Sequence, residues 1–245
     1  IAPLTPQEAY YWTWSRFPDW SYFDHPPLAS YAVGVTTLLL GQNAFGIKSA
    51  AVFWSLGWNL LWMGLISHMF NDRKVVFWSL IALNLTLLYE LYGIGPTPDG
   101  PLLLGWIGAI WSVWRASQTG RGSWWYTAGI FLGLACSGKY TGVLLIPVVG
   151  LYLLTGPAQR RWLKRPEPYA ALVIAALMFF PVIVWNIQHD GIWLAFQSTR
   201  RMGEMTGFKL GFFALLVVTQ VLLLTPYLFS LALGAMWRMR KIWTS

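Results

Sequence analysis

The chain has 245 residues, of which 56% are hydrophobic and only 11% charged, with a mean hydropathy of +0.51 and seventeen tryptophans. Soluble domains carry roughly 25% charged residues, so composition excludes an ordinary soluble fold and indicates an all-α protein that crosses a membrane several times. The net charge of +8 then belongs to loops on the cytoplasmic side rather than to nucleic-acid binding, and the lone Cys136 leaves no disulfide within the chain.

In chain order, Thr5-Pro6-Gln7-Glu8 reads as a helix start: Thr5 as N-cap, Pro6 at the first helical position and Glu8 as capping-box acid. The helix over about 6–17 is too short and polar to span and suits the membrane surface. Residues 28–41 form a second short apolar piece, interfacial or re-entrant. Spans of roughly 20 residues are expected near 46–70, 75–93, 100–117, 123–137, 141–155, 168–186 and 209–236, with Ser137-Gly138-Lys139 breaking the fourth from the fifth. The chain thus divides into an outer loop with interfacial helices (1–41) and a bundle of about seven spans (42–245). No signal peptide is visible; an opening without Met and an ending beside a basic cluster create the expectation of further segments at both ends.

Loop charges orient these spans. With residues 5–27 placed outside, the inside connections hold eleven cations: Arg73, Lys74, Arg115, Arg121, Arg160, Arg161, Lys164, Arg165, Arg238, Arg240 and Lys241. The outside holds five, Arg16, Lys139, Arg200, Arg201 and Lys209, with Lys48 near a helix end. Seven of the nine acids, Glu8, Asp19, Asp24, Glu90, Asp99, Asp190 and Glu204, fall outside. This is the asymmetry of the positive-inside rule.

The outer face therefore gathers Glu8, Asp24 and His25 from the first loop, Asp99 from a Thr-Pro-Asp-Gly turn, Lys139 and Tyr140 from the break, and His189, Arg200 and Arg201 from the last outer loop. Carboxylates, imidazoles and cations on one face of a lipid-embedded bundle suit acid–base chemistry and the recognition of an anion. Each residue also has a plain structural use. Glu8 serves a capping box, Asp99 a turn and helix cap, Lys139 an interfacial snorkel, and His189 and Asp190 a solvated loop. Lys48 and His68 receive no role. Trp12, Trp14 and Trp20 are interfacial anchors or rings that could stack on sugars.

The ordered series QEAYYW, YFDHPPL, TPDGPLL, SGKYTG and WNIQHD resembles the GT-C integral-membrane glycosyltransferases. The resemblance is to the bacterial branch related to glycosyltransferase family 39 and the RgtA/B/C/D-like domain, with protein O-mannosyltransferases and the lipid A aminoarabinose transferase as more distant relatives. It implies a helical bundle that moves a sugar from a polyprenyl-phosphate donor to a lipid, glycan or protein acceptor at the periplasmic face of a bacterial inner membrane, by inverting displacement. In that family an acidic pair in the first outer loop includes the presumed base. Here the pair reads Gln7-Glu8, so Glu8, or else Asp24, is expected to act. The resemblance further implies that His25 lines the donor site and that Lys139, with Arg200 or Arg201, meets the donor phosphate. Asp99 would bind a divalent metal or hold the acceptor. A transporter or flippase for an amphiphile, or a non-catalytic subunit that binds a polyprenyl-linked amphiphile, are the rival expectations.

Overall fold

The computed structural model describes residues 3–86, 93–196 and 210–243, and its described elements are helices and turns. In order they are α1 (Pro6–Ser15), α2 (Leu28–Leu40), α3 (Ala44–Phe70), α4 (Arg73–Asn84), α5 (Asp99–Thr119) and α6 (Ser123–Gly138). A 3₁₀ turn at Tyr140–Leu144 runs into α7 (Leu145–Leu154), and short turns at Pro157–Arg160 and Arg161–Lys164 lead to α8 (Glu167–Gln188). A turn at Ile192–Ala195, α9 (Leu210–Leu223) and α10 (Pro226–Trp243) follow.

Local chemistry sets most boundaries. The Thr5 hydroxyl accepts from the Glu8 amide while the Glu8 carboxylate accepts from the Thr5 amide, so the expected capping box starts α1. Asn43 and Asp72 cap α3 and α4 through their side-chain oxygens. Gly120 ends α5 at φ 69°, the left-handed conformation that glycine adopts without a Cβ penalty.

The centre of the bundle is α6, packed on α5 along one side and on α8 along the other. Small residues permit that approach. A Cβ on Gly105 would lie 2.5 Å from backbone atoms of Phe131 and Ala135, and one on Gly129 would lie 2.5 Å from the Ala171 carbonyl oxygen. Membrane helices without a hydrophobic driving force rely on such close contacts. Beyond α5 lies α3, and α1 and α2 rest on the start of α3 through Tyr11, Ala29, Val33, Ile47 and Ala50. Outward-facing side chains such as Phe53, Leu56, Leu60, Val173, Leu177 and Phe180 stand exposed, as hydrocarbon contact requires.

Several expectations from sequence change here. Among the described residues two helices, α3 and α8, are long and apolar enough to cross a bilayer, or three spans exist if the pair α9–α10 counts as one, against seven expected over the whole chain. Helix α5, 21 residues long, meets the length and falls short in apolarity. Within the run 75–93, α4 ends at Asn84, the Thr86 hydroxyl bonds the Ala82 carbonyl at 2.9 Å, Gly93 is again helical, and 87–92 lie outside the described residues. The single span 209–236 is two helices meeting at 101°. Thr225 at φ 62° and Pro226, which lacks an amide hydrogen, make that corner. The break at Lys139 stands as expected, with its backbone extended at φ −151° and ψ 137°.

Candidate active site

Four segments meet at the end of the bundle that carries α1. The first is the loop between α1 and α2, folded on its own aromatic rings. Tyr22 stacks on Trp14 at 4.3 Å and donates its hydroxyl to the Trp14 and Phe17 carbonyls at 3.0 and 3.1 Å. Tyr31 donates to the Asp19 carbonyl at 2.7 Å. The Tyr22 amide closes on the His25 carbonyl at 3.1 Å, which sets Phe23 and Asp24 at the tip. Pro26 and Pro27 then fix the backbone into α2. At the tip, Tyr10 donates to Asp24 Oδ1 at 3.4 Å and His25 Nε2 lies 4.0 Å from Asp24 Oδ2. Burial and the neighbouring Asp24 carboxylate push the Tyr10 phenol up to about 12, which keeps it a neutral donor.

The second segment is the start of α5. Asp99 was expected as a helix cap; instead Pro98 occupies the N-cap without a side-chain bond, and Asp99 is the first helical residue. Its carboxylate reaches across to Lys139 Nζ at 2.8 Å. The third segment is the break that releases Lys139. Gly138 rests against Pro101 and Leu102, bringing the end of α6 onto the start of α5. Next in the chain, Tyr140 shares a hydrogen bond of 3.2 Å with Ser21 of the first loop and accepts from Asn186 Nδ2 at 3.3 Å.

The fourth segment is the end of α8. Trp193 stacks on Tyr140 at 3.8 Å. His189 stacks on Trp185 at 3.9 Å, with Nδ1 2.8 Å from the Trp185 carbonyl oxygen. A carbonyl only accepts, so Nδ1 carries a proton and donates it there. Beneath Tyr140, Asn186 and Trp193 lies a cavity of about 760 Å³ walled by Leu132, Cys136, Val143, Ile146, Phe179 and Ile183.

Glu8 stands apart from this description. Its side chain is 4% exposed, Lys48 Nζ lies 2.6 Å from Oε1, and the Thr5 amide lies 2.7 Å from Oε2. Burial alone would raise its pKa; the Lys48 ammonium and the Thr5 amide and hydroxyl outweigh that and hold the carboxyl below its ordinary value. Gln7 donates to the Tyr11 hydroxyl at 3.4 Å. Both Asp24 and Asp99 act electrostatically on Tyr11, whose phenol is raised by burial first and by these charges after it.

The structure therefore joins Asp24 with His25, Asp99 with Lys139, and Tyr140 with Ser21 and Asn186. Arg200 and Arg201 lie outside the described residues, as does Glu90. Lys48 and Ser21 were missed as participants. Lys48 carried a signal, since a cation near the start of a helix opposes the macrodipole and calls for an acid. The Asp99 carboxylate, expected as a possible ligand of a divalent cation, is paired with the Lys139 ammonium, and among the described residues no three His, Cys, Asp or Glu side chains gather.

The family model for dolichyl-phosphate-mannose-protein mannosyltransferases matches residues 24–185, well over half of the chain. The chain belongs to that family. It is 27% identical over 185 residues to a lipid A galacturonosyltransferase, RgtD, of Rhizobium johnstonii, covering 75% of this chain and 38% of that protein. It is 26% identical over 157 residues to an undecaprenyl phosphate-alpha-4-amino-4-deoxy-L-arabinose arabinosyl transferase of an Enterobacter species, covering 62% of this chain and 28% of that protein. The chain thus spans well under half the length of the curated relatives it matches. Among solved structures, apo ArnT from Cupriavidus metallidurans superimposes with a TM-score of 0.67 at 17% identity, over 92% of this chain and 44% of that one. The fold is accordingly that of a GT-C helical membrane bundle.

Proposed function

We propose that the chain forms the donor-binding and catalytic part of a glycosyltransferase that moves a sugar from a polyprenyl-phosphate donor to an acceptor hydroxyl at the periplasmic face of a bacterial inner membrane. The carrying observation is one juxtaposition: an ammonium (Lys139) and a phenol (Tyr140) adjacent in sequence, the phenol roofing an apolar cavity of about 760 Å³. An anionic head above a hydrocarbon tail is the ligand such a site fits. The names of the relatives, which include a lipid A transferase and an undecaprenyl phosphate-linked sugar transferase, support a polyprenyl donor and a lipid acceptor. The apolar wall beneath the roof disfavours a transporter, whose path needs polar groups near the midplane.

In this reading Lys139 exchanges Asp99 for the donor phosphate and stabilises the charge that develops on it. Asp24, partly exposed and held by Tyr10 and His25, takes the proton from the acceptor hydroxyl. The acceptor oxygen forms the new bond to the anomeric carbon as that carbon's bond to the phosphate oxygen breaks. The lipid phosphate leaves with the electron pair, and the anomeric configuration inverts. Glu8, buried against Lys48, holds the loop in place rather than accepting the proton.

The test is transfer of labelled sugar from a polyprenyl-phosphate donor by the purified full-length protein. Asp24→Asn and Lys139→Met are each expected to lower the rate about a hundredfold or more, with Glu8→Gln costing far less than Asp24→Asn. Full activity in Asp24→Asn removes Asp24 as the base. Failure of the unaltered protein to bind any polyprenyl-linked donor removes the glycosyltransferase reading itself.

A further inference from the structure

The opposite end of the bundle holds a second meeting of cations with an apolar slot, on the side where the turns at Pro157–Arg160 and Arg161–Lys164 connect α7 to α8. Between Gly100 and Pro166 the sequence contains no Asp or Glu, yet this end carries Arg121, Arg160, Arg161, Lys164 and Arg165. The nearby acid, Glu167, is already taken by Arg165. Arg165 also reaches the Gly120 carbonyl at 3.5 Å, and the Arg161 guanidinium lies within 4 Å of a Cβ built on Gly120, so Arg121 belongs to the same group.

The turn is rigidly seated. Trp162 is 0% exposed, packs on Trp125 at 5.7 Å and carries the Arg165 guanidinium 4.4 Å above its ring. In a 3₁₀ turn residues three apart share a face, so Arg161 and Lys164 project together. Directly beside them is a narrow cavity of about 160 Å³ lined by Trp125, Val149, Gly150, Leu163, Pro168 and Tyr169. Leu163, between Trp162 and Lys164, is part of its wall and partly exposed. The indole nitrogen of Trp125, a residue 3% exposed, has no acceptor among the described residues; buried donors are seldom left so.

We infer that this end holds a binding site for an anionic glycerophospholipid, distinct from the donor site. Its phosphate lies against Arg161 and Lys164, and the start of one acyl chain enters the slot below Leu163. Charge selects the ligand: several exposed cations with their one acid already neutralised favour an anionic over a zwitterionic headgroup, at a strength of roughly fivefold per cation near the surface. The slot requires a lipid rather than a free phosphate. Its dimensions admit one end of a hydrocarbon chain and no headgroup.

Native mass spectrometry of the full-length protein, titrated with phosphatidylglycerol, phosphatidylcholine or soluble glycerophosphate, tests the site. Phosphatidylglycerol is expected to bind more tightly than the other two. The double variant Arg161→Gln/Lys164→Gln is expected to lose about thirtyfold in phosphatidylglycerol affinity and to leave phosphatidylcholine unmoved. Gly150→Phe provides a second handle, because nothing stands within 4 Å of a Cβ at that position while the ring would fill the slot. It should weaken the lipid and not glycerophosphate. Equal binding of the two lipids overturns the proposal. So does glycerophosphate binding as tightly as phosphatidylglycerol, or a double variant that melts like the parent and keeps its lipid. If the double variant does not fold, Lys164→Gln alone carries the same reading with an expected loss of about fivefold.

Discussion

The two ends of the bundle handle charge differently. At the end bearing α1, two carboxylates each meet a lysine 40 residues away: Glu8 with Lys48 at 2.6 Å, and Asp99 with Lys139 at 2.8 Å. At the other end Arg165 pairs with Glu167 two residues along, and guanidinium groups lie on indoles, Arg165 at 4.4 Å from Trp162 and Arg115 at 5.2 Å from Trp124. A planar guanidinium that stacks and pairs at once is committed to one geometry, whereas an ammonium is a point charge that can change partners. Arg165 thus fastens the basic end, and Lys139 is placed where an anion must be exchanged. The lesson extends within the first end. The Asp99–Lys139 pair is open, at 14% and 29% side-chain exposure, while Glu8–Lys48 is closed, at 4% and 17%. One pair is arranged for exchange, the other for holding.

The largest expected effect breaks the holding pair. Lys48→Met leaves the Glu8 carboxylate buried with only Thr5 as partner, and stranding one member of a buried pair costs about 3–5 kcal/mol. The lower part of that range applies, because Lys48 keeps some contact with solvent. Thermal unfolding in detergent should show this loss. The double variant Glu8→Leu/Lys48→Met should recover most of it, since replacing a whole buried pair by apolar side chains is often neutral. Recovery without loss of sugar transfer would confirm that Glu8 holds and does not react. Loss of transfer in a double variant as stable as the parent would return the base assignment to Glu8.

How far these roles were legible in the sequence depended on whether they are local. The capping box at Thr5–Glu8 and the interruption at Lys139 follow from neighbouring residue types, and both appear where the sequence places them. The gathering of Asp24, Asp99 and Lys139 at one end followed from loop charge, which reports side but not contact. Which carboxylate faces which lysine was not legible, because both pairs join separate helices. Asp99 looked like a cap by its turn sequence, but Pro98 occupies that position, leaving the carboxylate free to reach Lys139. The corner at Thr225-Pro226 was hidden by the high average hydropathy of the run around it: hydropathy measures affinity for lipid and is blind to a missing amide hydrogen.

Acid should open the holding pair. Glu8 has its carboxyl below the ordinary value of 4.5 in the folded chain. Its contribution to stability is therefore complete above that ordinary value and is lost as pH falls through the lower, folded one. Melting temperature should fall more steeply below about pH 4.5 in the parent than in Glu8→Gln, which has nothing to protonate at that position. Identical acid slopes in the two proteins would show that the Glu8 carboxyl is not held by Lys48 in solution.

The smallest effect sharpens the boundary between holding and exchange at Tyr140. Its hydroxyl ties Ser21 of the first loop to Asn186 of α8, while its ring is stacked on Trp193. Tyr140→Phe deletes the hydroxyl and keeps the stack, so a loss of about 1 kcal/mol in stability is expected. Tyr140→Leu deletes both, adding about 0.5–1.5 kcal/mol for the ring pair. The functional split matters more than the sum. If the hydroxyl contacts the donor phosphate beside Lys139, Tyr140→Phe should raise the KM for donor with little change in stability-corrected kcat. If it only fastens the loop that carries Asp24, kcat should fall and KM should hold, because a loosened loop misplaces the base without altering the seat of the lipid.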